Sequence, residues 1–93
     1  DLLRTISVLY VEEEERIRLT MYNVFVKLFK KVYVAVDGKD GFELYKEIIS
    51  KDEEIDIVVA DINMPVMSGL DMLESIREFD KDLPFILTTA HAE

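Results

Sequence analysis

Short apolar runs alternate regularly with helical patterns along this chain, and this alternation restricts the fold more than any other feature. The runs occupy residues 8–11, 32–36, 57–60 and 85–88, the last of which ends in Thr88, and they have the length and β-branched content of buried strands. Between the runs, apolar residues recur every three or four positions, as in amphipathic helices. The predicted order is therefore β-α-β-α-β-α-β, which indicates a parallel sheet with helices on its faces.

The first helical pattern follows a block of acidic residues. Glutamates occupy positions 12–15, and negative side chains stabilise a helix N-terminus electrostatically. The apolar stripe behind them consists of Ile17, Met21, Val24, Phe25 and Leu28. The Asp37-Gly38 turn signal precedes the second pattern at residues 40–49, and the third spans residues 70–79.

Composition narrows the class of protein. With 49% apolar and 33% charged residues, the chain is predicted to be globular rather than disordered. No apolar run approaches the roughly 20 residues of a membrane span. The chain contains no cysteine, which excludes disulfides and thiolate sites and fits a cytoplasmic location. The net charge of −9 disfavours direct contact with nucleic acid, and a divalent cation is a better match.

Polar side chains follow three of the predicted strands at the point where each strand ends. Glu12 and Glu13 follow the first, Asp61 follows the third, and Thr88 and Thr89 close the fourth. Ligands of open parallel sheets bind at this edge. Crowded carboxylates need a cation to offset their repulsion, and oxygen ligands favour Mg²⁺ or Mn²⁺. Beside such an ion a carboxylate can attack phosphorus and form an acyl phosphate, to which the Thr89 hydroxyl can donate a hydrogen bond.

Each of these residues also has a purely structural interpretation. Glutamates 12–15 can form a solvated helix N-terminus, and Asp61 can be a helix cap or turn former. Thr88 and Thr89 are ordinary strand residues, and the single histidine, His91, is predicted to lie in a loop. Their joint placement at one sheet edge favours the chemical interpretation.

Three segments carry a resemblance to a known family. They are VLYVEEE at residues 8–14, IVVADINMPVMSGLD at residues 57–71 and PFILTTA at residues 84–90. Together they resemble the receiver domain of bacterial two-component response regulators, and residues 61–69 are the most specific part. The resemblance implies a flavodoxin-like α/β fold, with an open parallel sheet and helices on both faces. It covers essentially the whole chain.

The resemblance also implies a role for each residue of the site. Asp61 would accept a phosphoryl group from a sensor histidine kinase or a phosphotransfer protein. Glu12 and Glu13, together with Asp61 and the backbone carbonyl of Asn63, would hold Mg²⁺ or Mn²⁺. The domain would act as a signalling switch that assists its own phosphorylation and dephosphorylation, without being an enzyme in its own right.

The switch itself is implied at the end of the fourth strand. Thr89 would reorient toward the phosphoryl group, and the backbone of the small Ala90 would lie near that group. Reorientation after a local change in charge is a common way to propagate a signal.

Two departures from the family pattern modify these expectations. The second acid of the metal pair is normally aspartate, and the longer Glu13 side chain is expected to reduce metal affinity. The family has five βα units and a lysine after the fifth strand, whereas this sequence stops after the fourth strand. We therefore expect residues 1–93 to be a receiver domain incomplete at its C-terminus, with any effector domain outside it. The exposed fourth-strand edge would favour a homodimer or a segment swap.

Two other functions fit parts of the sequence. A pseudo-receiver would bind partners without phosphorylation, and Glu13 is its support. A phosphatase or phosphotransferase with an aspartyl nucleophile would require an acid two residues after Asp61, where this chain has Asn63. An amide cannot exchange a proton usefully, which weakens this second alternative.

Overall fold

The computed structural model describes residues 1–89. After a short 3-10 helix (Leu2–Thr5), the elements are β1 (Ser7–Val11), α1 (Glu15–Leu28), β2 (Lys31–Ala35), α2 (Gly38–Ser50), β3 (Ile57–Asp61), α3 (Gly69–Arg77) and β4 (Phe85–Thr88). The predicted alternation is confirmed, and each element lies within a few residues of its expected position. Ala90 and His91 fall outside the described residues.

All described strand pairs are parallel, and the sheet order is β2-β1-β3-β4. This is the start of the flavodoxin-like strand order, so the predicted fold is confirmed. β1 and β3 are neighbours, with Val11 paired to Ala60, and the next residue of β3, Asp61, pairs with Thr88 of β4. The carboxyl ends of these strands therefore meet at one edge of the sheet.

The hydrophobic core lies between one face of the sheet and helices α2 and α3. Side chains alternate between the two faces along a strand, so Leu9 and Val11 point to this side while Tyr10 points to the other. The fully or almost fully buried residues of this core include Leu9, Val11, Tyr45, Ile48, Val58, Ala60, Met72 and Ile76. Helices on this face hold the sheet edge and its loops in place.

Helix α1 covers the opposite face. Phe25 packs edge-on against Tyr10 with the ring centroids 5.2 Å apart. The predicted apolar stripe is wider than the contact with the sheet, because Met21 and Phe25 are half-buried while Val24 and Leu28 are 45% and 40% exposed. Within residues 1–89, α1 is the only helix on this face, so no neighbouring helix covers its flank.

None of the helices in that range has the length and apolar character needed to cross a bilayer.

Candidate functional site

The strand order reverses between β1 and β3, so the loops that leave these two strands diverge at the carboxyl edge of the sheet, and the position between them is here called the crevice. Such a switch point is where open α/β sheets bind their ligands. Glu12 follows β1 and is 5% exposed, and Asp61 ends β3 and is 1% exposed. Buried carboxylates are costly unless they are paired or bound to a cation, so two in one crevice indicate a binding site.

Glu12 is held in this crevice by backbone contacts on both sides. Its N–H donates to the carbonyl oxygen of Ala35 at 3.1 Å, and its Oε2 accepts from the N–H of Glu14 at 3.1 Å. Burial raises the pKa of Glu12; the hydrogen bond from Glu14 opposes the rise, and the negative charges of Asp61 and Glu13 add to it. A cation in the crevice would reverse this effect and favour the ionised carboxylate.

Asp61 has one occupied oxygen and one free oxygen. Oδ1 accepts a hydrogen bond from the backbone N–H of Asn63 at 3.1 Å, which fixes the orientation of the carboxylate. Oδ2 is buried and has no hydrogen-bond partner within residues 1–89. An unsatisfied buried acceptor costs about 1–3 kcal/mol, and more when it is charged. This oxygen therefore fits an external partner, either a cation or an electrophilic group.

Glu13 lies apart from this pair. Its side chain is exposed, although its charge is near enough to raise the pKa of Glu12. Within residues 1–89, no group of three or more histidine or acidic side chains has the spacing of a metal site. The structure thus places Glu12 and Asp61 as buried acids at the same edge of the sheet, while Glu13 is exposed in the bend that follows β1.

The remaining predicted residues lie around the rim. Asn63 is exposed in the loop after β3, two residues beyond Asp61. Thr89 is exposed one residue beyond β4, whereas its neighbour Thr88 lies beside Asp61 in the sheet register and donates from Oγ1 to the Ala60 carbonyl at 3.5 Å. Ala90 lies outside the described residues.

The β3–α3 loop is shaped by a tight turn and two close glycine contacts. Val66 has a φ of 70°, and the N–H of Met67 donates to the Pro65 carbonyl at 2.7 Å, which closes a γ-turn. The N–H of Gly38 donates to the Met67 carbonyl at 3.1 Å, and a Cβ at Gly38 would collide with that same carbonyl oxygen. A Cβ at Gly69 would likewise collide with the carbonyl oxygen of Asp61. The loop is therefore fastened to the N-terminus of α2 and to the end of β3.

Sequence reasoning missed one side chain at this edge, Arg18 of α1. Its Nη1 donates to the carbonyl oxygen of Glu12 at 2.9 Å and to that of Glu13 at 3.4 Å. The side chain is half-buried, and it forms no salt bridge among residues 1–89. The only signal in the sequence was its position, six residues after Glu12 and within the first turn of α1. Helical spacing brings a residue at that position back toward the sheet.

Comparisons with known proteins agree with this geometry. The family model of the response regulator receiver domain matches residues 8–93. The sensor kinase CckA of Brucella abortus is 32% identical over 93 residues, which are 100% of this chain and 10% of that protein. The chemotaxis protein CheY of Treponema pallidum is 45% identical over 56 residues, covering 60% of this chain and 37% of that protein. The chain therefore spans well under half the length of either relative.

A solved structure extends the agreement to three dimensions. The crystal structure of the CheX-CheY-BeF₃-Mg²⁺ complex from Borrelia burgdorferi superposes on this chain with a TM-score of 0.80 and 31% sequence identity. The match covers 95% of this chain and 64% of the other.

Proposed function

Because the chain belongs to the response regulator receiver domains, as its motifs predicted, we propose that it is a phosphorylation-dependent switch with Asp61 as the phospho-acceptor. The family places it in two-component signalling. The observation that carries the choice of residue is the buried Oδ2 of Asp61 at the switch point of the sheet, which has no hydrogen-bond partner within residues 1–89. The phosphoryl donor would be a phosphohistidine of a sensor kinase or a phosphotransfer protein.

The two oxygens of Asp61 support a division of labour in this transfer. Oδ1 is held by the N–H of Asn63, so the carboxylate is oriented before the donor arrives. Oδ2 attacks phosphorus and forms the new P–O bond, while the P–N bond to the donor imidazole breaks and its electron pair stays on the ring nitrogen. The product is an acyl phosphate, and positioning of this kind supplies much of the rate in phosphoryl transfer.

The donor set fits Mg²⁺. Glu12, Asp61 and the carbonyl of Asn63 would hold the ion, with Glu13 nearby, and all of these ligands are oxygens. Mg²⁺ is commonly held by one or two carboxylates and keeps several of its waters, so the exposed position of Glu13 is compatible with binding. When bound, the ion would neutralise charge on the transferring oxygens. The solved relative from Borrelia burgdorferi was crystallised with Mg²⁺ and BeF₃.

A second candidate function is a pseudo-receiver that binds partners without being phosphorylated. The observation that favours it is the exposed side chain of Glu13, which leaves Glu12 and Asp61 as the only buried acids among residues 1–89. We place both candidates in the cytoplasm. Neither involves direct contact with nucleic acid, and self-association through β4 is a further prediction that oligomeric-state measurements would check.

Intact-mass spectrometry separates the two candidates. The chain is incubated with Mg²⁺ and a small acyl-phosphate donor, beside the variants Asp61→Asn and Asp82→Asn. Asp82 is exposed and far along the chain from the crevice, so its variant controls for the loss of one negative charge. We expect a gain of one phosphoryl group in the wild type and in Asp82→Asn but not in Asp61→Asn. No gain in the wild type with any phosphodonor would favour the pseudo-receiver.

A further inference from the structure

Arg18 is a cation beside an acidic crevice that does not pair with the acids. Its Nη1 contacts two backbone carbonyls, those of Glu12 at 2.9 Å and Glu13 at 3.4 Å. Burial and the charges of Glu12 and Asp61 raise the pKa of Tyr10 to about 12, and the charge of Arg18 opposes this rise. Arg18 is thus close to the crevice, yet the carboxylates of Glu12 and Asp61 are left free of any salt bridge within residues 1–89.

The contact fixes the direction of the loop that carries the acids. When one guanidinium nitrogen holds two successive carbonyls, the peptide planes between β1 and α1 cannot rotate freely. The same loop is closed by the N–H of Glu14, which donates to Oε2 of Glu12, and by Oε1 of Glu14, which accepts from the N–H of Ile17. Arg18 is the fourth residue of α1 (Glu15–Leu28), so its contacts join the first turn of the helix to the loop.

We propose that Arg18 is a positioning residue, which holds the β1–α1 loop so that the Glu12 carboxylate points at the Asp61 crevice and is ready to bind a divalent cation. The proposal rests on the proposed function, since it assigns the cation to that site. Arg18 touches neither cation nor phosphoryl group. It acts through the two backbone carbonyls that it holds.

Charge alone predicts the opposite effect, and this makes the proposal testable. A guanidinium near the crevice repels an incoming cation, so removing it should tighten Mg²⁺ binding by simple electrostatics. Positioning predicts weaker binding after the same change, because loss of an outer partner of a metal ligand typically weakens metal affinity by about 10–100-fold. The sign of the change in affinity therefore separates the two roles.

Arg16 provides a matched control on the same helix. It lies two residues before Arg18 and is exposed, and its side chain makes no hydrogen bond or salt bridge within residues 1–89. Arg16→Gln and Arg18→Gln remove the same charge from the first turn of the same helix. Arg18→Lys retains the charge and one donor group but cannot reproduce the reach of the guanidinium.

Isothermal titration calorimetry with MgCl₂ measures the affinity of each protein, with thermal unfolding recorded alongside to show that the variants are folded. We expect Arg18→Gln to bind Mg²⁺ about tenfold more weakly than the wild type, with Arg18→Lys intermediate. Arg16→Gln should remain within about twofold of the wild type, or bind slightly more tightly. Equal affinities for the two Gln variants, or tighter binding by Arg18→Gln, would overturn the positioning role.

Amide hydrogen exchange in metal-free protein provides a readout that does not depend on the cation. The N–H of Glu14 should exchange faster in Arg18→Gln than in Arg16→Gln, because its bond to Glu12 depends on the loop that Arg18 holds. Unchanged exchange at Glu14 would contradict the proposal. A wild type that binds no Mg²⁺ would overturn the proposed function instead, and the exchange rates would still decide whether Arg18 positions the loop.

Discussion

Replacing Asp61 with asparagine should stabilise the metal-free protein, although the substitution removes the residue that we assign to phosphorylation. Asp61 is 1% exposed, and its Oδ2 has no partner within residues 1–89. The amide keeps an oxygen that can accept the N–H of Asn63, and it carries no charge to repel Glu12. The substitution leaves a neutral amide N–H₂ in place of the buried charged oxygen, so the gain comes from removal of the charge. An unsatisfied buried group costs about 1–3 kcal/mol and more when it is charged, and we expect a net gain of about 1–2 kcal/mol in the free energy of unfolding.

Urea unfolding in the presence of a chelator measures this gain. With a slope of about 2 kcal/mol per M, the middle of the range for a small protein in urea, the midpoint for Asp61→Asn should rise by about 0.5–1 M. Saturating Mg²⁺ should reverse the order of stability, because binding at 100 times the dissociation constant adds about 2.7 kcal/mol and the variant has lost a ligand. The substitution of the exposed Asp82 in Asp82→Asn should not change the urea midpoint appreciably, either with the chelator or with saturating Mg²⁺.

The reasoning would be refuted by a metal-free Asp61→Asn variant that is less stable than the wild type. That result would mean that the Asp61 carboxylate makes favourable contacts that an amide cannot replace. Its Oδ2 would then no longer indicate a position for an external partner. An equal gain in both asparagine variants would attribute the effect to net charge, since the protein carries −9.

Three further perturbations test the crevice and its loops. Burial raises the pKa of Glu12 above its usual value of 4.5, so the folded protein binds this proton more tightly than the unfolded chain does. The stabilisation that proton binding contributes is fully present below pH 4.5 and is lost as the pH rises through the pKa of the folded state. Glu12→Gln should flatten that loss in metal-free protein, as measured by unfolding across the window, and an unchanged profile would count against the burial of this acid. Gly38→Ala should destabilise by about 1–3 kcal/mol, since its Cβ collides with the Met67 carbonyl, whereas the exposed Lys39→Ala should have little effect in the same urea assay. Val66→Gly should stabilise by up to about 1 kcal/mol, because its φ of 70° is costly for a β-branched residue; a loss of stability would show that the side chain, 77% exposed, makes contacts that outweigh the strain.

The sequence was sufficient for the fold because the relevant signals are local. The β-branched runs and the turn at Asp37-Gly38 mark the elements, and alternation of strand and helix leaves few topologies for a parallel sheet. Adjacency of β1 and β3, which brings Glu12 to Asp61, then follows from the fold. Burial of both acids at one edge was therefore within reach of sequence reasoning.

The details of the site depend on contacts between distant segments, which periodicity does not report. Glu12 and Glu13 are adjacent residues of the same type, yet Glu12 is buried and Glu13 is exposed, because the chain bends between β1 and α1. In the sequence, Arg18 cannot be distinguished from any other basic residue of a helix, and only the structure shows its contact with two carbonyls. The sequence predicts that Gly38 forms a turn. The structure shows that a Cβ at this position would collide with the Met67 carbonyl, which belongs to a loop far along the chain.

Locating the phosphoryl group tests the central claim most directly. The chain is treated with Mg²⁺ and an acyl-phosphate donor, the acyl phosphate is reduced with borohydride so that the modified residue survives, and peptides are sequenced by mass spectrometry. The account predicts that the modification falls on Asp61 and depends on Mg²⁺. Modification of a different acidic residue, or equal labelling of the wild type and Asp61→Asn, would contradict it.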